Sequence, residues 1–255
     1  MRLLRRRVLA FDLDGTLAVT KSPISTSVAV LLGRALEVFD VCVISGGAFH
    51  QFELQLIDRL HVDRCRLARL HLMPTSGTRY YRYDVAASGW NQQYAEDLAE
   101  DDKQRVVAVL EQGAAQLGFW EPAPHGEIIE DRGSQITFSA LGQEAPPALK
   151  YAWDPDGAKK EALRRYAAER LPDLEVRAGG TTSIDVTRHG IDKAYGMRKL
   201  MALLDVDASE IVFFGDQLDE GGNDHPVTSV GIDTIAVRDS LDTEVALAAI
   251  IAVAT

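Results

Sequence analysis

Short apolar runs alternate with longer segments of helical periodicity at both ends of the chain. Three runs near the N-terminus are predicted strands: RVLAFDLD, DVCVIS and RLHLMP. The segments between them repeat apolar residues at three- and four-residue intervals, which predicts helices. The same order returns after residue 188, where a predicted helix precedes two apolar strands, EIVFFGD and TIAV, and a final helix. Strands that alternate with helices predict right-handed βαβ units and a parallel sheet.

The pattern changes between residues 80 and 187. There a helical segment is followed by two strands, and this order occurs twice. The turns DRGS and AGGT separate the strands of each pair. Such blocks favour an antiparallel α+β module. The predicted fold class is therefore α/β: a Rossmann-like parallel-sheet core from residues 1–79 and 188–255, with an inserted α+β cap domain at 80–187.

Acidic side chains follow two of the predicted parallel strands. Asp12 and Asp14 end the first strand and point to the same side, so their like charges need compensation. The strand IVFFGD ends in Asp216, and a glycine-rich loop then carries Asn223 and Asp224. Because open α/β sheets place their ligands at the carboxyl ends of strands, these oxygen atoms are expected to meet at one edge. Such a site suits Mg²⁺, which would relieve the repulsion between the first two carboxylates.

Other strand and helix ends provide groups for binding phosphate. The stretch VISGG places Ser45 and Gly46 after the second strand, with backbone N–H groups open to an anion. Lys193 lies near a predicted helix start and is a cationic partner for phosphate oxygens. The parts predict a reaction in which Asp12 attacks phosphorus to form an aspartyl-phosphate. Asp14 would protonate the leaving oxygen and then deprotonate the incoming nucleophile.

Four separated motifs, FDLDGT, VISGG, Lys193 and FFGDQLDEGGND, resemble in order the motifs of the haloacid dehalogenase (HAD) superfamily of phosphotransferases. An aspartate two residues after the nucleophile, as at Asp14, marks the phosphatases and mutases of that superfamily. The resemblance implies metal ligation by Asp12, the backbone carbonyl of Asp14 and Asp216. Asn223 and Asp224 would support these ligands.

The stretches AGGTTSIDVTRHGIDKAYG and FFGDQLDEGGNDHP are similar to those of the eukaryotic-type phosphomannomutases, of subclass IIB, which carry a cap after the third strand. This resemblance implies that Ser183 and Asp185 bind sugar hydroxyls and that Arg132 binds a phosphate held by the cap. Lys21 supplies the basic residue expected after DGTLAVT. The same resemblance implies a homodimer formed through the caps.

Two cap positions depart from the mutase pattern. Gln143 stands where a second arginine is usual, and His125 stands where a third is usual. A mutase holds one phosphate at the metal and another at the cap. Since a charge-assisted hydrogen bond contributes about 1.5–3 kcal/mol, losing two weakens the distal phosphate site by several kcal/mol. Lys150 and Arg188 are the candidate substitutes.

These features favour an Mg²⁺-dependent phosphohydrolase acting on a sugar phosphate or similar small phosphometabolite. A phosphomannomutase-type enzyme with a rearranged distal phosphate site is the first alternative. A catalytically silent phospholigand sensor on the same fold is the second, although the intact set Asp12, Asp14, Lys193 and Asp216 counts against it.

Several of these residues also fit purely structural interpretations. Ser45 could cap a helix, Asp224 could only hydrogen-bond its own loop, and Ser183 and Asp185 could form an exposed strand face. Lys193 and Arg132 could be solvated surface side chains, the common environment of these residue types.

Composition narrows the partners and the compartment. The formal net charge of −11 argues against nucleic acid as the main partner, since phosphate contacts need a basic surface. The basic start RLLRRR is interpreted as a solvated lead-in, and the apolar tail VALAAIIAVA is about half the length that spans a bilayer. The two cysteines imply no disulfide framework, which fits a reducing cytoplasm. The expected partner is a small phosphorylated metabolite, with neither nucleic acid nor membrane.

Overall fold

Two β-sheets organise the chain in the computed structural model, which describes residues 6–254. The chain divides into two units, the first made of Met1–Ala95 with Asp192–Thr255 and the second of Glu96–Ile191. The strands are β1 (Val8–Asp12), β2 (Asp40–Ile44), β3 (Leu70–Met73), β4 (Arg79–Asp84), β5 (Gly89–Ala95), β6 (Ile129–Asp131), β7 (Gln135–Ser139), β8 (Leu174–Ala178), β9 (Ser183–Arg188), β10 (Ile211–Gly215) and β11 (Asp233–Ala236). The α-helices are α1 (Thr26–Val38), α2 (Phe49–Gln55), α3 (Arg64–Leu67), α4 (Glu100–Leu117), α5 (Pro147–Trp153), α6 (Ala158–Arg170), α7 (Lys193–Leu204) and α8 (Ser240–Ala254).

The first unit contains a seven-stranded sheet in the order β11-β10-β1-β2-β3-β4-β5. The strands from β11 to β3 are parallel, as the alternation of strands and helices predicts. Every residue of β1 is buried because helices cover both faces of the sheet, which explains its continuous apolar run. Leu9 and Phe11 belong to the core that includes α1 and α8, whereas Val8 and Ala10 belong to the core that includes α7.

The hairpin β4–β5 belongs to the first sheet, which corrects the predicted cap boundary. Its first strand pairs antiparallel with β3, with Leu72 opposite Tyr81. Tyr80 is buried in the core of the first unit. The predicted division at residues 79 and 188 therefore shifts to residues 95 and 191. The sequence RYYRYD indicates a strand, but nothing in its alternation says which sheet the strand joins.

The second unit is an antiparallel sheet in the order β6-β7-β9-β8 with helices packed on one face. The core side chains Ile136, Phe138, Ile184 and Val186 alternate along β7 and β9 and pack with residues of α4 and α6. Each of these two helices precedes a pair of neighbouring strands, as the repeated helix-plus-hairpin pattern predicts. The predicted fold class, an α/β Rossmann-like core with an α+β cap, is confirmed.

The basic N-terminal segment is predicted to be a solvated lead-in, and the structure describes only its last two residues, Arg6 and Arg7. Residues 2–5 of the predicted segment lie outside the described residues. Arg6 donates hydrogen bonds to the backbone carbonyls of Ser209 and Ile211 and pairs with Asp233. It thus joins the chain start to β10 and β11, and the prediction is wrong for this residue.

The apolar C-terminal segment forms α8, which packs against the sheet of the first unit through Leu247 and Ile251. Across residues 6–254, no helix has both the length and the apolar character needed to cross a membrane.

Candidate active site

The carboxyl ends of adjacent parallel strands bring the predicted site residues of the first unit together. Strand β1 lies between β10 and β2, so Asp12 at its end stands beside the residues that follow those strands. The residues concerned are Asp216 after β10 and Ser45 after β2. This is the edge where open α/β sheets bind ligands.

Lys193 is buried between two carboxylates. Its Nζ lies 2.7 Å from Asp12 Oδ1 and 2.5 Å from Asp224 Oδ1. The exposed fractions of Lys193, Asp12 and Asp224 are 2%, 3% and 0%. Lys193 is the first residue of α7, and the side chain of Asp192 caps that helix by accepting a hydrogen bond from the N–H of Tyr195. The interpretation of Lys193 as a solvated lysine is therefore wrong.

Burial and charge oppose each other in this cluster. Burial raises the pKa of Asp12 to about 7, an effect that Lys193 reduces and Asp224 reinforces. Burial alone would lower the pKa of Lys193, but the two neighbouring carboxylates outweigh it and the pKa lies above its usual range. The lysine is therefore a fixed positive charge, and it favours the ionised form of Asp12.

Asp216 completes a group of three carboxylates. Asp12, Asp216 and Asp224 each offer an oxygen atom, and these oxygens lie within 4.8 Å of one another. Lys193 can balance only part of this negative charge when all three are ionised. The all-oxygen donor set and its excess negative charge fit a hard divalent cation such as Mg²⁺.

The loop after β1 is fixed by hydrogen bonds from three other elements. Asp14 Oδ1 accepts hydrogen bonds from Gln55 Nε2 at 2.9 Å and from the backbone N–H of Lys21 at 2.8 Å. Thr16 Oγ1 donates to Asp216 Oδ1 at 3.2 Å, and Thr243 Oγ1 of α8 donates to the backbone carbonyl of Thr16 at 2.7 Å. Asp14 thus has a defined orientation, whereas the side chain of Lys21 is exposed.

Two glycines let the acidic side chains approach the backbone. Gly15 has a φ of +90°, and a Cβ there would lie 2.5 Å from Asp216 Oδ2. A Cβ on Gly215 would lie 2.5 Å from Asp224 Oδ2. Any larger residue at either position would displace a carboxylate of the cluster.

The remaining predicted residues of the first unit have different environments. Ser45 is buried, and its Oγ accepts a hydrogen bond from the N–H of Gly47 at 3.2 Å. The N-terminal capping position of α2 belongs to Ala48, so Ser45 is not a helix cap. A Cβ on Gly46 would meet open space, and Asn223 is exposed. The phosphate-binding roles of Ser45 and Gly46 and the metal-supporting role of Asn223 stay predictions.

Asp224 joins its own loop to the buried lysine. One carboxylate oxygen accepts from Lys193, and the other accepts from the N–H of Gln217 at 3.1 Å. The interpretation that Asp224 only holds its loop is therefore too narrow.

Arg132 of the second unit is also buried rather than solvated. Its Nε and Nη2 atoms donate to Glu130 Oε2 at 2.9 Å and 2.6 Å, and Nη2 lies 3.5 Å from Gln143 Oε1. Gln143 Nε2 is a buried atom with no hydrogen-bond partner among the residues that the structure describes. Lys150 Nζ donates to the backbone carbonyl of Gln143 at 2.8 Å. Of the two predicted substitute cations, Lys150 therefore lies beside Gln143, whereas Arg188 donates to the carbonyl of Glu96.

Ser183 and Asp185 lie on β9 and are half-buried, so they do not form an exposed strand face. Thr137 Oγ1 of β7 donates to Asp185 Oδ1 at 2.8 Å. Their sugar-binding role stays a prediction. His125 is exposed in the segment before β6, and its backbone carbonyl accepts from the N–H of Glu144.

Sequence reasoning missed the residues that orient the acidic groups: Thr16, Gln55, Thr137 and Thr243. A signal existed for Gln55, which is a polar residue within the apolar pattern FELQLI of a predicted helix. The three threonines carry no comparable signal, because threonine is common in strands and loops.

Comparisons with known proteins identify the family of this chain. A family model described as eukaryotic phosphomannomutase matches residues 31–252, so Asp12 and Asp14 lie before the matched segment. A probable phosphomannomutase of Caenorhabditis elegans is 26% identical over 228 residues, covering 87% of this chain and 86% of the relative. Phosphomannomutase 1 of Homo sapiens is 26% identical over 249 residues, covering 93% of this chain and 90% of the relative.

Solved structures show the same fold at lower sequence identity. An IMP-bound Plasmodium falciparum IMP-nucleotidase has a TM-score of 0.68 and 15% identity, covering 97% of this chain and 68% of that chain. A haloacid dehalogenase-like hydrolase from Bacteroides thetaiotaomicron has a TM-score of 0.65 and 16% identity, covering 96% of this chain and 99% of that chain. The fold is shared with that haloacid dehalogenase-like hydrolase. Since the family model spans most of the sequence, this chain belongs to the eukaryotic phosphomannomutase family.

Proposed function

We propose that the protein is an Mg²⁺-dependent phosphohydrolase that cleaves a small sugar phosphate through an aspartyl-phosphate on Asp12. The observation that carries this proposal is the buried bridge of Lys193 between Asp12 and Asp224, beside Asp216. A carboxylate held next to a fixed positive charge is suited to attack an anionic phosphate, because the cation offsets the repulsion between them.

The predicted site residues of the first unit each have a role in the proposed reaction. A carboxylate oxygen of Asp12 attacks phosphorus, and the bond from phosphorus to the leaving oxygen breaks as Asp14 donates a proton to that oxygen. Asp14 then takes a proton from water, the water oxygen attacks phosphorus, and the bond to Asp12 breaks to release inorganic phosphate. Ser45 and Gly46 bind phosphate oxygens in this scheme.

Mg²⁺, held by Asp12, the Asp14 carbonyl and Asp216 with support from Asn223 and Asp224, would supply positive charge that offsets the charge of the phosphoryl group.

Hydrolysis rather than transfer is favoured by the charge of the polar cluster in the second unit. Arg132 shares its guanidinium with Glu130, and Gln143 adds no charge. A second phosphate would have to compete with Glu130 for the arginine. We therefore propose that the substrate carries one phosphate, with Lys21, Arg132, Gln143, Ser183 and Asp185 as candidate binding residues for its organic part.

A phosphomannomutase-type activity is the second candidate. It is supported by family membership and by Lys150, whose ammonium group lies beside Gln143 and could replace the missing arginine charge.

The test incubates purified protein with Mg²⁺ and mannose 1-phosphate, with and without a hexose bisphosphate, and quantifies inorganic phosphate and mannose 6-phosphate together. Free phosphate as the product supports the hydrolase, and a panel of other sugar phosphates follows. Mannose 6-phosphate with little free phosphate identifies a mutase instead. We expect Asp12→Asn to abolish either product; unchanged turnover would overturn the assignment of the nucleophile, and the absence of both products over the whole panel would favour the sensor.

A further inference from the structure

One face of the second sheet carries a row of polar side chains across all four strands. Glu130, Thr137, Asp185 and Arg177 stand opposite one another in the strand register. The intervening residues of β7 and β9 belong to the apolar core with α4 and α6. Because side chains alternate between the faces of a strand, the polar row occupies the face away from those helices.

Within this row, hydrogen bonds run in one direction toward Asp185. Gln135 Nε2 donates to Thr137 Oγ1 at 2.9 Å, and Thr137 Oγ1 donates to Asp185 Oδ1 at 2.8 Å. The exposed fractions of Gln135 and Thr137 are 3% and 1%. Since the threonine hydroxyl accepts from the glutamine, its single proton is directed at the carboxylate.

Asp185 lacks the cation that a half-buried carboxylate usually has. No ion pair of Asp185 exists among residues 6–254, and the neighbouring Arg177 donates instead to the carbonyl of Ile191 and pairs with Glu175. Its Oδ2 faces Gly179, where a Cβ would lie only 2.6 Å away. One oxygen of Asp185 is thus fixed by Thr137, while the other lies against a residue without a side chain.

We infer that Gln135 and Thr137 are positioning residues that orient Asp185 to accept a hydrogen bond from a neutral hydroxyl of the substrate. The inference rests on the proposed function and on the sugar-binding role expected for Asp185, and it adds the two residues that orient this carboxylate. A neutral hydroxyl is the kind of donor that already binds Asp185, because Thr137 donates to it whereas Arg177, the cation opposite it on β8, pairs with Glu175.

The test compares Thr137→Val, which keeps the side-chain shape but removes the donor, with Thr137→Ser, which keeps the donor. The ratio of kcat/KM for sugar phosphates to kcat/KM for p-nitrophenyl phosphate, which has no hydroxyl, is measured for each. We expect this ratio to fall about tenfold in Thr137→Val, through KM, and to recover in Thr137→Ser. Thr187→Val is the matched control, since that buried threonine donates to the carbonyl of Arg188 and not to Asp185.

Three outcomes would overturn the inference. They are an unchanged ratio in Thr137→Val, an equal loss in Thr187→Val, and a wild-type preference for p-nitrophenyl phosphate or an amino-sugar phosphate over every neutral sugar phosphate.

A separate result bears on the proposed function, which fails if Asp12→Asn retains hydrolysis of p-nitrophenyl phosphate or if the wild type has none. Calorimetric binding of the sugar phosphates to Asp12→Asn, with and without Thr137→Val, tests the inference even then: a loss of about tenfold in affinity supports it, and no loss overturns it.

Discussion

At the scale of single residues, the candidate active site depends on one lysine that neutralises two buried carboxylates. Charges are removed from water at a cost of several kcal/mol each, so Lys193, Asp12 and Asp224 are tolerated only together. Buried ion pairs are weak evidence for stability. Their presence at the carboxyl edge of a parallel sheet is better explained by function, because a reactive carboxylate needs an adjacent positive charge.

Lys193→Met should therefore destabilise the protein far more than the loss of a surface lysine does. Asp12 and Asp224 would remain buried without their cation, and we expect the free energy of unfolding to fall by about 3–5 kcal/mol. Urea denaturation in the presence of EDTA measures this. The control is Arg198→Met on the exposed side of the same helix. Adding Asp224→Asn should restore part of the loss; a Lys193→Met protein as stable as the control would contradict this account.

At the scale of elements, β3 and β4 are joined by a buried polar pair. His71 Nδ1 and Tyr80 Oη lie 2.7 Å apart, and their exposed fractions are 1% and 2%. Burial lowers the pKa of His71 to about 4; Asp40 opposes this shift, whereas Arg82 and Arg69 add to it. The imidazole is therefore neutral in the folded protein at neutral pH. Its contact with the Tyr80 hydroxyl joins the β4–β5 hairpin to β3.

This shift predicts a specific loss of stability in mild acid. The unfolded chain binds a proton at His71 near pH 6.5, whereas the folded protein binds it only near pH 4. The contribution is fully present above pH 6.5 and is lost as the pH falls toward 4, by about 3 kcal/mol in total. Urea denaturation across this range should show a shallower pH dependence for His71→Gln than for the wild type. His61→Gln, which changes an exposed histidine, is the control, and parallel curves for all three proteins would refute the prediction.

The elements also show how far sequence reasoning reaches. The carboxylates after β1 and β10 were predictable because apolar strand patterns and acidic residues at strand ends are both local. The strand that pairs with the β4–β5 hairpin was not predictable, because the alternation of polar and apolar residues along a strand does not identify the neighbouring strand. Gln55, Thr16 and Thr137 act across large sequence separations, and their hydrogen bonds appear only when the fold places them opposite Asp14, Asp216 and Asp185.

At the scale of the whole molecule, the chain contains two units with separate sheets and separate apolar cores. The two ends of the second unit are joined, since Arg188 Nη2 donates to the carbonyl of Glu96 at 2.5 Å. The N–H of Leu98 also donates to the carbonyl of Gly133 within the same unit. Its core contains Phe138 from the sheet, with side chains of α4 and α6 on the same face. A continuous chain with its own core has the properties of an independent folding unit.

We therefore expect the fragment Glu96–Ile191 to fold by itself. It should unfold in urea in a single cooperative transition, with matching far-UV circular dichroism and tryptophan fluorescence from Trp120 and Trp153. Small domains are stable by only about 5–15 kcal/mol. Phe138→Ala, which costs about 3–5 kcal/mol in a packed core, should therefore remove a large part of the fragment's stability and markedly lower its transition midpoint.

The matched control for the fragment is Tyr151→Ala, because that aromatic side chain is 65% exposed and contributes little to the core. It should leave the transition midpoint nearly unchanged. A fragment that unfolds without cooperativity, or that responds equally to Phe138→Ala and Tyr151→Ala, would show that its apolar cluster does not form a core without the rest of the chain. A cooperative fragment would mean that residues 96–191 are an inserted domain, whose polar sheet face can be varied without refolding the carboxylate cluster of the first unit.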